Sequence, residues 1–261
     1  MSVYQKLCDE DILEKARGLL TQGGFFLRDT DGRIACEKAV SWEQPWHHVR
    51  HMDSADCILW FQIIFNGFSL PLPKEERFVP LGCQDCYKVV VRPKTLNGLF
   101  SLLKLQKRLN RPSKCGIEVR SSVCGLYGGY FYNRGLEQGL ERYKEVRAAV
   151  DDAEYLGPET TVMLKRGCTE MEHATKPSNE WGIEPNQLHI ESLVLRKFVI
   201  DPQSRMQTES VQTHAHKQWI EWAYQNGDMT YLDYTDGEPL PQYPEYVTYH
   251  HLTTGEENGK K

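Results

Sequence analysis

The residues with the widest chemical reach in this sequence carry sulfur. Of eight cysteines, five (Cys83, Cys86, Cys115, Cys124 and Cys168) fall within residues 83–168. The Cys-x-x-Cys pair at Cys83 and Cys86, joined by Cys115 and Cys168, supplies four thiolates, the donor number of an iron–sulfur cluster (4Fe-4S) or of a structural zinc ion. Structural zinc commonly uses two such pairs, and this segment has one, which favours the cluster. Cys124 is the alternative to Cys115 as the fourth ligand. Two other uses compete. The thiols can pack as small hydrophobes, or one can act as a nucleophile whose thiolate is stabilised by Lys88, Lys114, Lys165 or Arg166.

A second chemistry is anion binding. Residues 88–120 hold nine lysines and arginines against one acid, Glu118, in a chain whose net charge is −5. The local excess attracts a phosphate-bearing ligand, nucleic acid or nucleotide, with Arg92, Lys94, Lys104, Lys107, Arg108 and Arg120 as candidate contacts. Tyr130, Phe131 and Tyr132 add rings of the kind that stack on bases. Candidate groups for proton transfer are His47 and His51, which share a face if that stretch is helical, and Glu170 and His173 just beyond Cys168.

The elements that must position these groups follow from periodicity. Residues 87–92 read as a strand, 96–109 as an amphipathic helix, 116–120 and 127–132 as a hairpin, 136–153 as a second helix and 160–164 as a last strand. The order βαββαβ predicts an α+β protein with a ferredoxin-like split βαβ core. In that arrangement the starts of the first two strands and the end of the last share one end of the sheet, which would gather Cys83, Cys86, Cys115 and Cys168. The predicted organisation is an N-terminal elaboration over 1–80, the core with its cysteine cluster over 81–172 and a C-terminal extension over 173–261. Within the flanks, 25–27 and 33–35 predict a hairpin, 193–195 and 198–200 strand-like runs, and 211–224 a helix.

Composition narrows the class. With 40% hydrophobic residues the chain can bury a substantial core. Its longest apolar run, residues 57–65, is too short to cross a bilayer. The N-terminus has no basic stretch leading into an apolar one, so no secretory signal is expected, and a reducing cytoplasm favours free or metal-bound thiols. Phosphate loops, dinucleotide-binding glycine motifs and serine-nucleophile elbows are absent from the sequence. The expectation is a cytoplasmic metalloprotein with a basic surface for a phosphate-bearing ligand. The alternatives are a redox or sulfur-handling enzyme with a cysteine nucleophile, and a structural zinc scaffold for protein contacts.

Overall fold

The computed structural model describes residues 8–28, 33–36, 45–50, 57–121, 123–184, 187–200 and 207–240. Its centre is an antiparallel sheet of five strands in the order β3-β5-β6-β4-β7, so the protein is α+β. The strands are β3 (Trp46–Arg50), β4 (Cys86–Arg92), β5 (Ser113–Ile117), β6 (Tyr127–Arg134) and β7 (Thr161–Arg166). α3 (Leu96–Leu109) joins β4 to β5 and α4 (Gly135–Asp151) joins β6 to β7, close to the predicted ranges. Thr95 caps α3 by accepting the Gly98 amide at 3.1 Å, and Asn110, at φ 49°, ends it in the left-handed conformation that asparagine tolerates.

Strand alternation divides the sheet into two different surfaces. Val89, Val91, Cys115, Ile117, Tyr127 and Phe131 point to one side and form a core with Leu99, Leu102 and Leu103 of α3, Val146 and Val150 of α4 and Trp219 of α7 (Glu209–Gln225). The cross-strand partners Lys88 with Tyr132, Val90 with Tyr130 and Lys114 with Tyr130 point to the other side. That side is not open. Over it lie the segment Ile58–Ser69, wound with the wide turns of a π-helix, and α5 (Thr169–Ala174).

A second core holds this cover in place. It joins Ile58, Ile63, Ile64 and Phe68 to Ile12, Ala16 and Leu20 of α1 (Asp9–Gln22) and to Ile190 and Val194 of α6 (Gln187–Lys197). β1 (Phe25–Leu27) and β2 (Arg33–Cys36) form the predicted antiparallel pair, and β2 pairs in parallel with the short β8 (Val199–Ile200). Among the described residues, no helix is long and apolar enough to cross a membrane.

Three expectations change. Residues 46–50 are a strand, not the helical turn on which His47 and His51 would share a face, because they pair with the edge of β5, with His47 buried. The second core strand lies at 113–117 instead of 116–120, since Glu118 turns inward to a buried ion cluster. Residues 193–195 belong to α6, where the same apolar residues face α1. Residues 81–84 form one turn of helix, α2 (Leu81–Gln84), with Cys83 buried.

The attachment of β3 is testable. A Cβ at Gly116 would lie 2.6 Å from the Pro45 carbonyl oxygen and 3.0 Å from the Trp46 ring, so Gly116→Ala is expected to push β3 outward. The expected cost is about 1–3 kcal/mol of unfolding free energy in urea titrations.

Candidate functional site

The cation-rich side of the sheet and its cover enclose a cavity of about 330 Å³. Five cationic side chains reach it, Lys88 and Arg92 from β4, Lys114 from β5, Arg120 from the following loop and Lys165 from β7. Trp46, Phe61, Tyr130 and Tyr132 line it as well, together with Cys57, Cys168 and Glu170. The clustering has a local cause. Residues two apart on a strand share a side, and Lys88, Lys114 and Lys165 fall on the same side of the sheet, with Lys88 directly opposite Lys165.

Each cation is held differently. Glu118, whose side chain is fully buried, accepts from Arg120 Nη2 at 2.6 Å and from the Tyr130 hydroxyl at 3.0 Å, and lies 3.6 Å from Arg92 Nη1. Burial works to raise the Glu118 pKa, but the hydrogen bonds and charge of Arg120, with the Tyr130 hydroxyl, outweigh burial and lower it. Arg120 also pairs with Glu170, and Lys165 with Glu172. The Lys88 ammonium donates to Cys168 Sγ at 2.8 Å and lies 5.5 Å from the Tyr132 ring centre. Burial opposes its charge, and Cys168, Cys86 and Tyr132 around it outweigh that effect and raise its pKa. Lys114 lies 4.9 Å from the centre of the Trp46 ring, and among the described residues its amine has no carboxylate partner. Burial and the nearby Lys88 charge lower its pKa to about 8.

The thiols divide. Gly167 donates to the Cys86 carbonyl at 2.7 Å, which brings the end of β7, and with it Cys168, to the start of β4. Cys83, Cys86 and Cys168 therefore meet at one corner, and burial raises the pKa of both Cys83 and Cys86. Cys57, at the start of the π-helix, joins this neighbourhood, although sequence periodicity gave it no role. Cys115 does not join. It lies opposite Gly129, on the surface covered by α3, with its pKa raised by burial. Cys124 is exposed. Among the described residues, no group of three or more Cys, His, Asp or Glu side chains is placed to hold a metal ion.

The remaining candidates scatter in a regular way. Arg92, Arg120 and Glu170 reach the cavity, whereas Lys94, Lys104, Lys107 and Arg108 are exposed, the last three on α3 across the sheet. His173 is exposed on α5, and His51 lies outside the described residues. His47 faces the helices, where its ring stacks on His216 of α7 with centres 5.0 Å apart and Nδ1 2.9 Å from the His216 Nε2. Burial, followed by the His216 charge, lowers the His47 pKa to about 3.

His47 is neutral in the folded chain down to low pH, while the unfolded chain takes up its proton below about pH 6.5. Acid therefore favours unfolding at this position. Between pH 7 and 5, stability is expected to fall by about 1–2 kcal/mol on this account. Thermal or urea unfolding across that range checks it, and His47→Gln is expected to flatten the slope. No protein-family model matches the chain, and neither the curated proteins nor the solved structures compared with it include a match.

Proposed function

We propose that the protein binds a small phosphate-bearing ligand in the cavity between the sheet and the π-helix. The observation that carries this is the convergence of five cationic side chains on one aromatic-walled space in a chain that is acidic overall. Glu118, Glu170 and Glu172 compensate Arg92, Arg120 and Lys165, and Lys88 and Lys114 are left with no carboxylate partner among the described residues. Keeping two ammonium groups without a carboxylate in a partly enclosed space is unfavourable unless an anion takes the place. The cavity's size is within the small-molecule range and below what a duplex or a long strand would fill. Trp46, Tyr130 and Tyr132 suit a planar group attached to the phosphate.

The order of β5, β6, β4 and β7, with α3 and α4 on one side, supports reading these elements as a ferredoxin-like split βαβ unit extended at one edge by β3. Free cysteines at seven described positions support a reducing compartment such as the cytoplasm. A metal is not part of the reading, because Cys115 lies across the sheet from the other three predicted ligands.

A second reading rests on the contact between the Lys88 ammonium and Cys168 Sγ. Cys168 lines the cavity with its Sγ beside that ammonium, so it is a candidate nucleophile facing the bound ligand. Iodoacetamide at neutral pH is expected to modify Cys168 ahead of buried Cys83, Cys86 and Cys115, and more slowly in Lys88→Met. Equal rates in the two proteins would remove this role.

For the main reading, calorimetry with adenosine 5′-monophosphate is expected to show binding that weakens as salt rises, with adenosine itself binding at least about tenfold more weakly. Arg92→Gln is expected to weaken the monophosphate by a similar factor. The double change Lys104→Glu, Arg108→Glu is expected to leave it unchanged, because those side chains lie across the sheet. Loss of binding in that double variant alone would move the site to the exposed face of α3.

A further inference from the structure

We infer that Lys114 is a reactive amine and that the ligand class taken by the cavity is a phosphate-bearing aldehyde or ketone, whose carbonyl carbon Lys114 attacks to form an imine. The inference rests on the anion-binding reading of the cavity and assigns it a chemistry.

Three amines reach the cavity, and two already donate to a side chain. Lys88 donates to Cys168 at 2.8 Å, and Lys165 is paired with Glu172. Arg92 and Arg120 are not nucleophiles at accessible pH. Lys114 remains, fixed near the start of β5 by cross-strand pairing to His48 on one side and Tyr130 on the other. The Trp46 ring lies against its amine, and no carboxylate holds it among the described residues. A lysine in a partly apolar setting beside a second cation is the arrangement that favours a neutral, nucleophilic amine.

The groups facing Lys114 act in both directions. Lys88 on β4 and Arg120 beyond β5 disfavour its charge, while Cys168 before α5 and Cys57 before the π-helix favour it. Lys165 on β7 is neutralised by Glu172, and Glu170 by Arg120. Burial is the largest influence and acts in the same direction as Lys88 and Arg120, and the balance lies at about 8. At pH 7 about a tenth of such an amine is neutral, against roughly one part in three thousand for an ordinary lysine.

The step balances without an oxidant or reductant. The amine lone pair forms the C–N bond, and the carbonyl oxygen takes up a proton, giving a carbinolamine. Loss of the nitrogen proton and breaking of the C–O bond release one water and leave the imine. Arg92 and the remaining N–H groups of Lys88 hold the phosphate during these steps, and the surrounding rings limit the access of water to the C=N bond.

The test uses the full chain with pyridoxal 5′-phosphate, a planar aldehyde carrying a phosphate, followed by borohydride reduction and peptide mass spectrometry. The expected result is a reduced adduct on Lys114, formed more than about tenfold faster than on the exposed lysines, with a rate that rises with pH through a midpoint near 8. Pyridoxine 5′-phosphate, which lacks the carbonyl, is expected to protect Lys114. Lys114→Arg, checked for folding by circular dichroism, is expected to lose the adduct, and Lys104→Arg to keep it. Binding of pyridoxine 5′-phosphate without preferential labelling of Lys114 would overturn the inference and leave the phosphate site standing. Absence of both binding and Lys114 labelling would overturn both.

Discussion

Two guanidinium groups, Arg92 and Arg120, share one buried carboxylate, and the cavity depends on that sharing. Glu118 holds them on a sheet surface that also carries Lys88, Lys114 and Lys165. Like charges at this density repel strongly when removed from water. Glu118 offsets part of that repulsion at its centre, with hydrogen bonds from Tyr130 and from the Arg120 backbone amide, and Glu170 and Glu172 offset more at the rim. What remains uncompensated is concentrated around Lys88 and Lys114. The site thus combines a stabilised framework with two cations that lack a carboxylate partner among the described residues.

The pleat of the sheet keeps this polar arrangement apart from the hydrophobic core. A one-residue step along any central strand exchanges a cavity residue for a core residue. Lys88 is followed by Val89, Lys114 by Cys115 and Tyr130 by Phe131. Register is consequently tightly specified, because a slip would place lysines under α3 and valines in the cavity. The same alternation explains why Cys115 is separated from the other thiols, although its strand begins at the same end of the sheet.

Closure comes from segments distant in sequence. The π-helix over 58–69 is almost entirely apolar and has two packing surfaces to satisfy, α1 and α6 on one side and the cavity on the other. Wider turns redistribute its side chains, and helices of this type concentrate at functional sites. Gly167, at φ 62°, lets the chain turn directly from β7 into α5, so Cys168, Thr169 and Glu170 return over the cavity. Without this cover the five cations would face water, where each is worth little to a ligand.

The amino-acid order by itself determined a good part of this protein. Periods of two and 3.6 residues located β4, α3, β6, α4, β7 and α7 nearly in place, since those signals depend on neighbouring residues alone. The excess of cations over 88–120 was also legible, and through it Arg92 and Arg120. Only the tertiary structure decided which cations matter. Lys104, Lys107 and Arg108 look equivalent to Lys88 and Lys114 along the chain, but the former project into water from α3 and the latter enter the cavity. Nor was the role of 46–50 readable locally, because a short His- and Trp-rich run becomes a strand only when an edge such as β5 is available to pair with. Cys57 and Cys168, far apart in the chain, are brought near each other by the packing of the π-helix and α5 over the sheet. Local pattern specifies the conformation of a segment, whereas which side chains share a space is set by long-range packing, and both the site and its chemistry arise at that level.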